Sequence, residues 1–427
     1  MKPIRFIISL LFLTSCIKGK KVDFVFHNTI VNSCDENNHT YEAMSIKDGK
    51  IIELGPERQI LNKYRSEESE DLGGKYIYPT LIDANFKLFD ILIERFSVQT
   101  SLAENEKHLI YLIEKKLETT KSPILSINSV RFSKKKVIDL IIQNFPSKRI
   151  YIVNKDSLFY IDNKSIKTIN NNEKRTFKTN LLKTNFIEFK ALFLEIQNEL
   201  IEHGFNDIII HNCSKEEFDF LTKLEKNINI EMYLYTNYIE KHLAKKHIYV
   251  NGFYLDEFNH LDSEKISKMN KPISFTSSFF QANSNQLYKF ISSINQDHRW
   301  VCIINSKLSN VESEKLNQLN IYPVVNSTSS ELEKTNFLSS FGSGNTNPFE
   351  MELEIIKDNK IAKNQKNKLL FSNGHKLTFN ENRMGSLEKK KNTNFITFKF
   401  HYDKINSTDK LYIDRMYIKN KLMYQVD

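Results

Sequence analysis

The sequence predicts an α/β fold in which parallel strands, joined by helices, close into a barrel between two β-rich ends. Segments with strand character alternate with amphipathic helices from Thr80 to Val325, which is the pattern of βαβ units. Short strands and turns occupy the chain before Thr80 and after Asn394. Because neither end holds enough strands for a stable sheet of its own, we expect the two ends to pair into one β-rich domain.

The two ends carry hairpin patterns. The strands expected before the barrel are residues 23–31, 41–46 and 51–55, and the Lys47-Asp48-Gly49-Lys50 turn joins the last two. The strands expected after the barrel are residues 395–402, 410–418 and 422–426, with the Lys419-Asn420-Lys421 turn between the last two. Each turn predicts that the strands on either side of it are neighbours.

The central region supplies the barrel. Its expected strands are residues 80–84, 124–128, 150–153, 207–210, 228–235, 248–251, 273–276, 301–305 and 321–325. Apolar residues recur at helical spacing in many of the gaps, for example in residues 107–117, 185–203, 215–226 and 285–294. A doubly wound sheet would use the same pattern, but a barrel is favoured because the β-rich ends bracket the region.

The amino terminus has the layout of a secretory signal peptide. Lys2 and Arg5 precede an apolar run at residues 6–13, and small residues lead to Cys16. The order Leu13-Thr14-Ser15-Cys16 resembles a bacterial lipobox, in which the cysteine thiol is acylated and the peptide bond before it is cut. The apolar run is too short to cross a bilayer. We therefore expect a mature chain that begins at Cys16 and is anchored to a membrane at the cell envelope, outside the cytoplasm.

Composition excludes some partner classes. The net charge is +9, but Lys and Arg are scattered along the chain, so the sequence gives no nucleic-acid footprint. If Cys16 is acylated, Cys34, Cys213 and Cys302 remain. Three widely spaced cysteines form neither a disulfide framework nor a zinc cluster, so they are either buried thiols or include one disulfide.

Several short motifs carry a resemblance to a known family. Residues 71–88 read DLGGKYIYPTLIDANFKL, and Gly-Gly-Lys there leads through Pro79 to Ile82-Asp83-Ala84. Further matching positions are Ala43, Asp48, Gly49, Lys50, Ile51 and Gly55 before this run, and Ser372-Asn373-Gly374 and Gly385-Ser386-Leu387-Glu388 after it. Together they resemble the metal-dependent amidohydrolases, and in particular amidohydrolase family 3, which includes N-substituted formamide deformylases. Weaker similarities lie at Asp156 to Asn163, at Gly204-Phe205-Asn206 and at Phe341 to Gly344.

This resemblance implies a distorted TIM (β/α)8 barrel with a composite β-sandwich domain formed by the N- and C-terminal segments. The implied domains are a signal peptide at residues 1–15, a β-sandwich from residues 16–79 and 375–427, and a barrel at residues 80–374. The family holds one or two divalent metals with imidazole and carboxylate ligands, and the metal activates a water molecule.

Each ligand position that the resemblance implies is occupied here by another residue type. Asn85 and Lys87 stand at the positions of the first-strand histidines, and Leu158 stands at that of the substrate-side histidine after Asp156. His247 stands at the position of the metal-bridging lysine, with Asn251-Gly252 at its Asp-Gly partner, and Thr276 at that of the next histidine, whose aspartate falls near Phe280. A Glu-His pair falls near Ile303 and Ile304, and Gly344 stands at the position of the catalytic aspartate. A lysine ammonium repels a metal cation. The sequence therefore predicts no metal cofactor, and histidine pairs with metal-binding spacing are absent from it.

These substitutions predict a lipid-anchored pseudoenzyme that acts as a binding or interaction module. Lys87, His247 and Asn251 would either line the mouth of the barrel and hold a small polar or anionic ligand, or merely fill an unused pocket. The alternative is an active hydrolase of carbon–nitrogen bonds other than peptide bonds, with a rearranged or metal-free site; zinc is expected only under this alternative. The membrane is the one partner that the sequence indicates, and protein partners are not indicated.

Overall fold

A computed structural model describes residues 19–120, 123–126, 132–154, 157–169, 171–238, 245–256, 271–292, 299–325, 340–344, 354–358, 360–402 and 413–426. The strands are β1 (Lys20–Asn32), β2 (Thr40–Tyr41), β3 (Ala43–Lys47), β4 (Lys50–Gly55), β5 (Tyr64–Pro79), β6 (Leu81–Asp83), β7 (Val98–Gln99), β8 (Ile124–Ser126), β9 (Ile150–Asn154), β10 (Ser157–Asp162), β11 (Ser165–Thr168), β12 (Phe205–Cys213), β13 (Glu231–Thr236), β14 (Ile248–Tyr254), β15 (Ile273–Thr276), β16 (Val301–Ile304), β17 (Tyr322–Val325), β18 (Ser340–Phe341), β19 (Phe395–Phe398), β20 (Arg415–Ile418) and β21 (Lys421–Gln425).

The α-helices connect and flank these strands. They are α1 (Glu57–Lys63), α2 (Leu88–Phe96), α3 (Glu106–Thr119), α4 (Lys134–Asn144), α5 (Asn171–Thr184), α6 (Phe186–Glu202), α7 (Lys215–Leu224), α8 (Ser277–Ser292), α9 (Asn310–Gln318), α10 (Lys363–Asn367) and α11 (Asn373–Leu377). A π-helical turn at Lys368–Ser372 joins the last two. Within the residues that the structure covers, no helix combines the length and the apolar character needed to cross a membrane.

Both ends of the chain contribute to one sheet, in the order β21-β20-β19-β5-β1-β3-β4, with β2 paired to β1. The pairing of β5 with β19 places Pro79 opposite Phe395. The predicted hairpins are present, and their turn residues Asp48, Gly49, Lys419 and Asn420 all have positive φ, as type I′ turns require. The predicted composite domain is therefore confirmed.

Aromatic packing explains why the two ends associate. The Phe26 ring on β1 lies 5.0 Å from that of Phe395 on β19 and 5.1 Å from that of Tyr417 on β20, edge to face in both cases. All three side chains are buried. Such pairs add stability beyond the apolar area that they bury. The alternation of apolar residues along the end strands thus forms a core that neither end could form alone.

The barrel sheet has the strand order β18-β17-β16-β15-β14-β13-β12-β6. The recorded pairings within it are parallel, for example β13 with β14 and β16 with β17. All side chains of β13 and β16 are buried, as expected for strands with helices on one face and a filled barrel on the other. The fold is an eight-stranded, nearly closed α/β barrel among the described residues, which confirms the predicted fold class.

Two predicted barrel strands lie elsewhere. Residues 124–128 and 150–153 were expected in the barrel, but β8 and β9 belong to a separate five-stranded sheet with the order β11-β10-β9-β8-β7. This part of the prediction was wrong because a short apolar run shows that a strand is buried without showing which sheet it joins. Leu158 is part of the same sheet, on β10 opposite Val153, and is buried.

The described residues group into two compact units. One consists of residues up to 84, 200–208 and 275 onward, and the other of residues 85–199 and 209–274. The domain boundaries expected at residues 79 and 374 stay predictions. Cys34, Cys213 and Cys302 are free and buried, and burial raises the pKa of each thiol. The sequence allowed either buried thiols or one disulfide, and all three cysteines are buried thiols.

Gly374 is a position where helix backbone lies directly on the barrel. It belongs to the Ser372-Asn373-Gly374 motif and to α11, and a Cβ atom there would lie 2.6 Å from Ile82 Cγ2 of β6. Glycine in a helix costs about 1 kcal/mol relative to alanine. The sequence retains glycine here because the fully buried Ile82 leaves no space for a methyl group.

We expect Gly374→Ala to lower the free energy of unfolding by about 1–3 kcal/mol, since overpacking outweighs the gain in helix propensity. Urea unfolding measures the change. Gly55→Ala is the control, because a Cβ there would lie 3.6 Å from the Ile60 side chain, an ordinary contact. A Gly374→Ala protein as stable as the parent would show that α11 does not pack this closely on β6.

Candidate functional site

A histidine, a tyrosine, an asparagine and a serine form a polar cluster inside the second unit. His211 Nδ1 lies 3.0 Å from Ser274 Oγ, and both side chains are buried. The His211 ring stacks on that of Tyr235, with 4.8 Å between centroids and 22° between planes. The Asn251 side-chain amide donates a hydrogen bond of 2.9 Å to the Tyr235 hydroxyl. Strands β12 to β15 thus each contribute one member to the cluster.

The cluster is tightly packed. Tyr235 is fully buried, and this burial raises the pKa of its hydroxyl above the ordinary value, so the hydroxyl keeps its proton at neutral pH. A Cβ atom on Gly252 would lie 2.6 Å from Tyr235 Cε1 and 2.3 Å from the Pro272 carbonyl oxygen. Only glycine fits between the tyrosine ring and that carbonyl, which holds the ring against His211.

The first and last barrel strands are joined in the first unit. Asp83, the last residue of β6, is fully buried, and its Oδ1 accepts a hydrogen bond of 3.1 Å from the Ser343 backbone N–H. The backbone N–H of Ala84 donates a bond of 2.8 Å to the Phe341 carbonyl of β18. These two bonds connect the first barrel strand, β6, with the last, β18. Asp83, one of the motif positions noted in the sequence, therefore has a structural role in this fold.

Comparisons with known proteins find this architecture among solved structures. No protein-family model and no curated protein matches the chain. Solved structures do match, including an uncharacterized metal-dependent hydrolase from Pyrococcus horikoshii OT3, at 11% identity over 90% of this chain and 98% of that chain, with a TM-score of 0.66. A second from Pyrococcus furiosus is 9% identical over 89% and 100%, with a TM-score of 0.67. The chain has the fold of metal-dependent hydrolases.

Enzymes of known substrate share this hydrolase fold less closely. Atrazine chlorohydrolase from Arthrobacter aurescens TC1, complexed with zinc, is 8% identical over 94% of this chain and 95% of that chain, with a TM-score of 0.52. At such low identity the likeness is one of fold, which is the fold that the resemblance to amidohydrolases implies. Membership of the amidohydrolase superfamily and of family 3 stays a prediction.

The residues at the first ligand positions of the hydrolase fold lie next to β6. Asn85 is almost fully buried and follows Asp83 by two residues. Lys87 is half-buried and directly precedes α2, and its carbonyl accepts hydrogen bonds from the Asp90 and Ile91 N–H groups in the first turn of that helix. Both residues are near the carboxyl end of the first barrel strand, where barrel enzymes place their chemistry.

Other predicted positions have identifiable structural roles. The Thr276 hydroxyl accepts a hydrogen bond of 3.2 Å from the Phe279 N–H, as an N-cap does for α8. Gly344 follows β18 with a φ of +59°, a conformation that suits glycine. Phe280, Ile303 and Ile304 are buried core residues. Cys16 and Asp156 lie outside the described residues.

His247 was expected at the mouth of the barrel, and this expectation was wrong. It precedes the first residue of β14, so it lies at the amino end of that strand. Its Nδ1 is 3.3 Å from Oε1 of Glu231, which begins β13. Leu158 is also remote from the barrel strands in the topology, because β10 belongs to the five-stranded sheet. The motifs therefore did not predict where residues inside the barrel lie along their strands.

The donor set does not fit a catalytic metal. Among residues that the structure describes, no group of three His, Cys, Asp or Glu side chains could hold an ion. The aligned positions offer an amide at Asn85, an ammonium at Lys87, a hydroxyl at Thr276 and no side chain at Gly344. Zinc sites use imidazole, thiolate and carboxylate, and a nearby ammonium opposes a cation. We therefore derive no metal-dependent step for this chain.

Sequence reasoning missed the cluster around His211. His211 belongs to no metal-binding histidine pair in the sequence, and its burial and its contact with Ser274 are visible only in the structure. Tyr235 and Ser274 were not singled out. One signal was present: each residue of the cluster lies in or next to a predicted strand, and parallel strands bring such positions together.

We expect Asp83→Ala to lower the free energy of unfolding by about 1–3 kcal/mol, because it leaves the buried Ser343 N–H without its acceptor. Asp83→Asn keeps an oxygen acceptor and should lose less. Urea unfolding monitored by circular dichroism measures both. Asp219→Ala removes an exposed carboxylate and should stay within about 0.5 kcal/mol of the parent. Equal effects at Asp83 and Asp219 would contradict the closing role of Asp83.

Proposed function

We propose that this chain is a lipid-anchored protein of the bacterial cell envelope that uses a hydrolase fold as a binding or interaction module and has lost hydrolysis. The observation that carries the proposal is the donor set at the ligand positions, where Asn85, Lys87, Thr276 and Gly344 replace metal ligands and the catalytic carboxylate. The Thr276 hydroxyl already accepts a hydrogen bond from the first turn of α8, and Gly344 has a positive φ that suits glycine. Hydrolysis by a metal-activated water needs groups that these residues lack.

A small polar or anionic compound is the ligand that this site favours. Lys87 carries an ammonium group and lies four residues after Asp83, the last residue of the first barrel strand, and the Asn85 amide is of a type that can donate or accept hydrogen bonds. Barrel strand ends form concave sites whatever chemistry they hold, so a binding pocket can persist after its metal is lost. His247 has no part in this site because it lies at the other end of its strand.

The second candidate is a metal-free hydrolase of carbon–nitrogen bonds other than peptide bonds. The contact of 3.0 Å between His211 Nδ1 and Ser274 Oγ favours it, since a histidine beside a hydroxyl is how a serine nucleophile is activated. Against it, the Ser274 side chain is fully buried and the histidine ring is stacked on Tyr235. A nucleophile must be reached by substrate, so the first proposal is preferred.

Metal content and turnover together separate a metal-dependent hydrolase and a metal-free hydrolase from the proposed binding role. The full-length protein, dialysed without chelator and analysed by plasma mass spectrometry, should contain far less than one zinc per chain and should not turn over N-acyl substrates. Stoichiometric zinc that survives dialysis would contradict the proposal. Turnover that is lost in Ser274→Ala and in His211→Ala, with no metal present, would support the metal-free hydrolase instead.

The lipid anchor has its own test. Cells grown with labelled palmitate should label the parent protein and recover it with membranes, whereas Cys16→Ala should remain unlabelled because it lacks the thiol that is acylated. Cys34→Ala is the control, since it removes a buried cysteine and should label like the parent. Equal labelling of Cys16→Ala and the parent would refute the assignment of Cys16.

A further inference from the structure

One surface of the β-rich domain gathers lysines from three separate turns. They come from the β3–β4 turn, from the segment before β19 and from the β20–β21 turn. We call this surface the lysine face, and it comprises Lys47, Lys50, Lys389, Lys390, Lys419 and Lys421, all exposed.

Backbone contacts hold the three turns together. The Lys390 N–H donates a hydrogen bond of 2.7 Å to the Ile51 carbonyl, and the Thr393 N–H donates one of 3.0 Å to the Gly49 carbonyl. A Cβ atom on Gly49 would lie 3.1 Å from the Lys419 Cβ atom, so the third turn touches the first. The lysine face is thus fixed by the fold.

The charge of this surface is largely uncompensated. Asp48 is the exposed carboxylate within the turns, and Asp23 contributes a second by accepting a hydrogen bond from the Asp48 N–H. Among the described residues, none of the six lysines forms an ion pair. Like charges gathered on one surface repel one another, and an anionic partner would relieve that repulsion.

The lysine face also has the shape and the apolar neighbours of a headgroup-binding surface. A cavity of about 400 Å³ is lined by Lys47, Lys50, Lys389 and Lys390, together with Asp48, Ile51 and Ile52. On edge strand β21, Leu422 is 50% exposed and Met423 is 36% exposed, directly after Lys421. Lysines beside exposed aliphatic side chains suit an interface with charged headgroups above acyl chains.

The short distance along the chain from Cys16 to the lysine face indicates that its partner is the membrane. Asp23, which binds the β3–β4 turn, is seven residues after Cys16. A fully extended chain of that length reaches about 25 Å. A lipid on Cys16 would therefore keep this end of the β-rich domain close to the bilayer surface, where anionic lipids attract basic segments within about one Debye length.

We propose that the lysine face docks on the anionic headgroups of the membrane that carries the Cys16 anchor. The choice of the membrane as partner rests on the proposed lipid anchor, whereas the cationic surface does not. Docking would supply the second membrane attachment and would fix the orientation of the β-rich domain on the bilayer, which a tether alone cannot do.

Vesicle binding tests the docking surface without the anchor. Full-length protein carrying Cys16→Ala is mixed with vesicles of phosphatidylcholine alone or with one quarter phosphatidylglycerol, and sedimentation measures the bound fraction. We expect binding to the anionic vesicles to exceed binding to the neutral ones and to fall at high salt. Adding Lys47→Gln, Lys50→Gln, Lys389→Gln and Lys390→Gln should weaken it about ten-fold or more.

A matched control removes the same charge elsewhere. Lys107→Gln, Lys115→Gln, Lys135→Gln and Lys164→Gln change four exposed lysines of the other unit and should leave binding close to that of the parent. Equal loss in both sets, or equal binding to both vesicle types, would overturn the proposal. Failure of palmitate labelling with retained vesicle binding would refute the anchor alone, so the two results are distinguishable.

Discussion

The barrel depends on one hydrogen bond between residues at opposite ends of its sequence. The Asp83 carboxylate accepts the Ser343 N–H, and beside it the Ala84 N–H bonds to the Phe341 carbonyl. Strands β6 and β18 are short, so few ladder bonds can hold the seam between them. Loss of this buried acceptor would leave a buried amide unsatisfied. Closure of the sheet therefore gives the buried Asp83 side chain a structural role.

Four barrel strands contribute polar residues that contact one another. In the second unit His211, Tyr235, Asn251 and Ser274 satisfy one another through hydrogen bonds and ring stacking. Buried polar groups that are fully paired stabilise a unique core, whereas an unpaired ligand set would destabilise it. Gly252 completes this packing by leaving room for the Tyr235 ring. The contacts between these four polar residues therefore stabilise the packing of the strands that carry them.

Local patterns in the sequence were sufficient for the ends of the chain and for the class of the fold. Turn residues with positive φ at Asp48-Gly49 and Lys419-Asn420 set the hairpins, and alternating apolar residues identified the strands beside them. The assignment of β8 and β9 to their own sheet could not be read, because buried strands of any parallel sheet have similar sequences. His247 was misplaced for a related reason, since register within a barrel is set by contacts between strands and not by local propensity.

The shared sheet also constrains the order in which this protein can be made. Strand β5 ends at Pro79, yet its partner β19 begins at Phe395, so most of the chain must be synthesised before the two can meet. Until then one edge of β5 has unpaired backbone groups, which invite pairing with other chains. Contacts of such long sequence separation also fold slowly. The β-rich domain can thus be completed only after nearly the whole chain has left the ribosome.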